Sequence, residues 1–265
     1  KNLWIMIQNK NMYGINKNII CITGTNKCAI DALIYSIKKK NNSYDLVALI
    51  DKSDKGKDSW QPSFKKFVKK KKIKIIKLKD LYKIRKLFLF SFEYRNILNV
   101  NLFKSKNLFN IHFSLLPKYR GCHTNYLQLR NGEKTSGVTL HKIDSGIDSG
   151  PIVDSIKFVI KQNTTAYENY NVLMKFSKKI FIKNFRSILK GKYNLINQNL
   201  KNGTYYSRNS VVYSKLVNIK LKKHTLRNHN FIRALIFPPF QLPIVNGIAV
   251  KKSIFKKRKI ILLKK

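Results

Sequence analysis

The sequence predicts an α/β protein: a Rossmann-like layer on a mostly parallel sheet, followed by a small C-terminal subdomain. Two observations carry this. Short apolar runs alternate with helical segments through the first part of the chain, which implies parallel strands joined by crossover helices. Beyond about Tyr193 the remaining residues form a smaller unit of their own. The expected division is 18–192 for the core and 193–265 for the small C-terminal region.

Taken in order, Asn18–Gly24 reads as a strand, Cys28–Lys39 as a helix, Leu46–Asp51 as a strand and Trp60–Lys70 as a helix. Lys74–Leu78 and Leu87–Ser91 read as further strands, and the apolar run Leu108–Phe113 as another. The strand pair Gly137–Ile143 and Pro151–Ile160 precedes a long helix, Thr164–Lys190. Its apolar residues, among them Tyr170, Leu173, Phe176, Ile180 and Phe181, recur mainly at three- and four-residue steps, as packing on a sheet requires. Thr164 or Thr165 can cap its start, and Gly191 follows its end. The first turn, Gly24-Thr25-Asn26-Lys27-Cys28-Ala29, lacks the G-x-G-x-x-G spacing, so a dinucleotide fingerprint is missing.

With 265 residues the chain can bury one substantial core and a small appendage, and 43% hydrophobic content suits a soluble globular protein. No apolar run approaches the roughly 20 residues needed to span a bilayer. The start, Lys1–Asn18, lacks the basic-then-apolar order of a secretory signal. Cys21, Cys28 and Cys122 have no metal-ligand spacing, and their odd count argues against a disulfide framework. The expected setting is cytoplasmic.

Charge pulls toward another class of function. The chain carries 55 Lys+Arg against 12 Asp+Glu, a formal charge of +43, which suggests a polyanion partner. Yet the cations are mostly lysines spread along the whole length rather than gathered in one aromatic-interleaved stripe. Asn, Ile, Tyr and Phe are abundant, so compositional drift with solvated faces absorbing the charge is the preferred explanation. Nonspecific, salt-sensitive binding to polyanions is still expected. The acids Asp51, Asp54 and Asp58 cluster in one loop and Asp144, Asp148 and Asp154 in another, where ligands could approach.

The chemistry concentrates between residues 110 and 150. Asn110 and His112 are two apart in a strand and so share a face. Pro117 and Gly121 then force a loop, and Ile147-Asp148-Ser149-Gly150 forms an isolated turn. A lone histidine after a strand is more often structural, and a D-S-G turn is usually only a turn. An amide, an imidazole and a carboxylate at one site, however, suit attack on an acyl carbon: the amide holds the developing oxyanion while the other two handle protons.

This pattern resembles the N10-formyltetrahydrofolate-dependent formyltransferases, with N-x-H at Asn110/His112, S-L-L-P-x-x-R-G at Ser114–Gly121, G-V-T at Gly137–Thr139 and D-x-G at Asp148/Gly150. The resemblance covers roughly residues 18 to 190. Within the family, Gly121–Asn125, Asn131–Glu133 and Asp58–Ser63 are similar to the branch that formylates amino sugars on nucleotide carriers. It implies a formyltransferase core using N10-formyltetrahydrofolate as co-substrate, with no metal. Asn110, His112 and Asp148 would be catalytic, and Phe92, Glu93, Tyr94, Ile143 and Asp144 would meet the folate.

Lys118, Arg120, Tyr206, Arg233, Phe237 and Phe240 would meet the nucleotide sugar, the aromatic and proline-rich tail offering a surface on which a base could stack. A hydrophobic seam is the equal alternative for that tail. The implied acceptor is a nucleotide-linked deoxy amino sugar, of the dTDP-4-amino-4,6-dideoxyhexose type, for cell-surface glycans. A homodimer is allowed for. Methionyl-tRNA formyltransferase is the competing enzyme, and a noncatalytic polyanion-binding protein on the same fold is the alternative from another class. The stretch Asn209–Val212 departs from the sugar branch, which often places an acid there.

Overall fold

The computed structural model describes residues 17–265; the reading of the chain's start as free of a secretory signal lies, up to residue 16, outside the described residues. The chain divides after Phe109 into two compact units.

In the first unit, β1 (Asn18–Gly24) pairs in parallel with β2 (Tyr44–Ile50) and with β4 (Leu87–Phe92), and β2 pairs in parallel with β3 (Lys74–Ile75). β4 is buried along its whole length and β1 at all but its first residue, which is why both read as unbroken apolar runs rather than as alternating ones. Helix α1 (Lys27–Lys38) starts where the Asn26 side chain accepts the Cys28 N–H at 3.0 Å. Helix α2 spans only Phe64–Lys70, not Trp60–Lys70, because Ser63 supplies the cap through its side chain and Pro62 keeps the residue before it extended. β3 is shorter than the expected Lys74–Leu78 because a short helix, α3 (Leu78–Leu81), begins there. All three cysteines are free thiols.

Strand β5 (Asn107–His112) runs across the division. In the second unit, β6 (Arg120–Gly121) and α4 (Thr124–Arg130) lead to the antiparallel pair β7 (Thr135–Lys142) and β8 (Ile152–Val159). The order along the mostly parallel seven-stranded sheet is β3-β2-β1-β4-β5-β7-β8. Helix α5 (Ala166–Leu189) matches the periodicity closely: Tyr170, Leu173, Ile180, Phe181, Phe185 and Ile188 are buried along one side. Thr165 and Glu168 form a reciprocal capping box at its start, and Gly191 adopts a left-handed φ of 67° just past its end.

The rest of the second unit holds β9 (Tyr205–Tyr206), which pairs in parallel with β6, and a four-stranded sheet of order β10-β11-β12-β13. Those strands are β10 (Asn218–Ile219), β11 (Ile244–Val245), β12 (Ile248–Lys256) and β13 (Lys259–Lys264). Helix α6 (Leu226–Leu235) closes a small core of Ile232, Ile236, Val245, Val250 and Ile260. Among the described residues no helix is long and apolar enough to cross a membrane.

Candidate active site

The site is built at the carboxyl end of β5, where Asn110 and His112 are alternate residues and project to one face. His112 is 7% exposed, and its Nε2 lies 2.7 Å from the Tyr119 carbonyl, which can only accept; that nitrogen therefore carries a proton. Tyr119 reaches it because its own backbone is left-handed, at φ 59°. The other ring nitrogen, Nδ1, lies 3.3 Å from Asp148 Oδ2.

Asp148 thus joins the pair, as the sequence suggests, and further groups converge on it. The Gly121 N–H donates to its Oδ2 at 2.9 Å, and the Asn110 amide donates to its Oδ1 at 3.3 Å. Gly121 has φ 85°, and a Cβ there would collide with the Tyr206 carbonyl, so only glycine lets β6 present that N–H beside β9. Asp148 itself sits at φ 50°, a left-handed conformation uncommon outside glycine.

His141 was not foreseen. Its Nε2 lies 3.2 Å from the Asn110 amide nitrogen and 3.4 Å from Asp148 Oδ1. Its Nδ1 donates to the Lys142 carbonyl at 2.8 Å, which leaves Nε2 facing both the Asn110 amide and the Asp148 carboxylate. An irregularity between Leu140 and His141 in the pairing of β7 with β8 shifts the register at this residue, the kind of local kink that re-aims a side chain. Its position two residues after Thr139, at the end of an apolar strand, was the available signal. Burial alone would raise the pKa of Asp148; the charge of His112, the contacts of His141 and the Gly121 N–H outweigh it and hold the carboxyl well below the usual carboxylate range.

The other expected residues separate. Phe92 is buried at the end of β4; Glu93 is left-handed at φ 54° and accepts from the Asn26 amide; Tyr94 is half-buried and its pKa is raised, chiefly by burial. In the second unit, Asp144 accepts from Ser149 Oγ at 2.9 Å and shapes the turn that carries Asp148, with Ile143 just before it. Lys118, in the loop after β5, is exposed, and Arg120, at the start of β6, is half-buried. Tyr206 on β9 stacks against Tyr119 with ring centres 6.0 Å apart.

Arg233 and Phe237, expected beside the nucleotide sugar, are both buried. Arg233 is 3% exposed, and its guanidinium is used inside the protein, on Asn230 Oδ1 at 2.8 Å and the Thr164 carbonyl at 3.0 Å. Phe237 is 8% exposed and packs edge-on against Tyr167 and Tyr170, whereas Phe240, stacked on it, is 65% exposed. The acids of the first loop are also structural: Asp51 accepts from the Arg95 N–H at 2.9 Å, Asp54 from the Lys65 N–H at 2.7 Å and Asp58 from the Ser63 N–H at 2.9 Å.

An α/β sheet carrying an amide, an imidazole and an ionised carboxylate at a strand end defines an acyl-transfer enzyme. Residues 89–185 match the family model described as formyl transferase. The chain is 40% identical to WlaRD, a sugar 3-N-formyltransferase solved with dTDP and 5-N-formyl-THF, over 92% of this chain and 88% of that one, with a TM-score of 0.85. It is 37% identical to the N-formyltransferase of Helicobacter canadensis, solved with folinic acid and dTDP-3-aminofucose, over 89% and 87%, with a TM-score of 0.83.

Among curated relatives, it is 30% identical to the methionyl-tRNA formyltransferase of Azobacteroides pseudotrichonymphae over 92% of this chain and 81% of that one. The bifunctional polymyxin resistance protein ArnA of Wigglesworthia glossinidia brevipalpis is 38% identical over 60% of this chain, which spans only 24% of that protein's length. The chain belongs to the family of N10-formyltetrahydrofolate-dependent formyltransferases.

Proposed function

We propose that the chain transfers a formyl group from N10-formyltetrahydrofolate to the amine of a dTDP-linked deoxy amino sugar. The observation that carries the reading is the convergence of Asn110, His112 and His141 on one ionised Asp148. The uncharged amine attacks the formyl carbon, and the carbonyl electron pair moves onto oxygen, where the Asn110 amide and His112 balance it. Collapse of that intermediate expels N10 of the folate, and the proton lost by the amine passes through the His112–Asp148 pair to N10. Because Asp148 is held strongly ionised, it acts first by fixing the His112 ring rather than as a strong base.

Folate contacts are assigned to Phe92, Glu93 and Tyr94 and to Ile143 and Asp144, and sugar-nucleotide contacts to Lys118, Arg120, Tyr206 and Phe240. Similarity to two enzymes named for 3-amino sugars favours an amine at C3 of the hexose over the C4 amine that the sequence pattern suggests. The test is a panel: formyl-folate with dTDP-3-amino, dTDP-4-amino and UDP-linked amino sugars, with charged initiator tRNA alongside. Fastest formylation of a dTDP-3-amino sugar is expected. Fastest formylation of the tRNA would overturn the reading.

A further inference from the structure

We propose that Gln198 is a positioning residue that locks the catalytic turn from outside the motif; the proposal rests on the formyl-transfer reading above. Gln198 Nε2 donates to the Asp148 carbonyl at 3.0 Å and to the Gly150 carbonyl at 2.7 Å. Both partners can only accept, so the orientation of the Gln198 amide is fixed and both of its hydrogens are spent on this one turn. Gln198 itself lies about fifty residues along the chain from the D-x-G turn it holds.

The turn needs such a hold. Asp148 is left-handed at φ 50°, a conformation a non-glycine residue keeps only when its surroundings over-determine it. At Gly150 the backbone runs so close to the Lys142 carbonyl that a Cβ would collide with it. The Gly121 N–H and His112 secure the Asp148 side chain, but neither restrains its backbone. Gln198 does. Its own segment is anchored two residues earlier, where Ile152 and Ile196 exchange N–H to carbonyl bonds of 2.8 and 2.9 Å.

The arrangement also leaves a cost in view. Gln198 Oε1 is buried without a hydrogen-bond partner, a state proteins rarely keep without a reason. The side chain is held there for its donor end. If the turn relaxed toward an ordinary backbone conformation, the carboxylate would swing from His112 and Asn110, and displacements of about an ångström at reacting groups cost on the order of a hundredfold in rate.

The test compares the wild-type full chain with Gln198→Met, of similar length without a donor, and Gln198→Glu, of the same shape with acceptors facing both carbonyls. Rates are taken with formyl-folate and the acceptor the wild type formylates best, alongside backbone amide exchange across residues 144–151. The expected result is a roughly ten- to hundredfold fall in kcat in both variants, with KM for folate and acceptor within about threefold, and faster exchange in 144–151. Unchanged kcat, or a rise confined to the acceptor KM, overturns the proposal. So does a loss of activity accounted for entirely by a smaller folded fraction. If the wild type formylates no acceptor, the formyl-transfer reading fails on its own, while the exchange data still decide whether Gln198 holds the turn.

Discussion

His112 Nδ1 and Asp148 Oδ2 stand 3.3 Å apart with both side chains largely buried, at 8% and 14% exposure. Little water reaches the pair, so the interaction is far less screened than one at the surface. Asp148 also receives the Gly121 N–H and the Asn110 amide, so the pair lies at the centre of the cluster.

Breaking that pair should remove turnover while sparing the fold. His112→Ala and Asp148→Asn are each expected to lower kcat by at least about a hundredfold. Steady-state rates on variants shown to be folded by circular dichroism check this; near wild-type turnover in either would remove the assigned mechanism.

His141 should matter through Asn110. Its Nε2 lies 3.2 Å from the Asn110 amide nitrogen, so His141→Leu removes that polar neighbour while preserving side-chain bulk. The expected loss is about tenfold in kcat, smaller than for removing a direct proton handler. In Asn110→Ala the same His141 change should add almost nothing, a non-additivity that a double-mutant cycle measures.

The aromatic pair of the tail should split. Phe237→Ala empties a packed seam and is expected to cost about 3–5 kcal/mol of stability by denaturant titration. Phe240→Ala, at an exposed position, should leave stability within about 0.5 kcal/mol. If Phe240 stacks the base, the same change weakens nucleotide-sugar binding by about 1–3 kcal/mol in calorimetry, and no change there would exclude that contact.

Stability should fall on mild acidification because of His229, which is fully buried between Ser253 Oγ at 2.8 Å and the Gln162 carbonyl at 2.9 Å. Burial holds its pKa below the ordinary histidine value. Above about pH 6.5, the unfolded value, both states are neutral and the contribution is complete. As pH falls below it, the unfolded chain binds a proton that the native chain refuses, and stability declines until the depressed native value is passed. A His229→Leu variant should be less stable at pH 7 and show a flatter melting temperature between pH 7 and 5. An equally steep decline in that variant would assign the effect elsewhere.

Salt separates the two acceptors. A tRNA substrate engages many phosphates, so its formylation should collapse between about 50 and 200 mM salt. A nucleotide sugar offers only a diphosphate, and a shallow dependence is expected despite the formal charge of +43.

The sequence by itself determined what depends on near neighbours. Strand alternation placed Asn110 and His112 on one face of β5, and Thr164 or Thr165 and Gly191 marked the ends of α5 within a residue or two, because period and capping act over a few residues. Its long match to a family pattern supplied Asp148. Tertiary structure decided which distant groups meet: His141 enters through an irregularity in the β7–β8 register, and Gln198 reaches the Asp148 turn from the tail. It also turned Arg233 inward and tied Asp51, Asp54 and Asp58 to backbone N–H groups of their own unit, residues that in sequence look as free as any ligand-binding charge. Local rules state how a segment is shaped and which face it offers. Which partner that face finds depends on register, left-handed turns and buried hydrogen-bond demand summed over the whole fold.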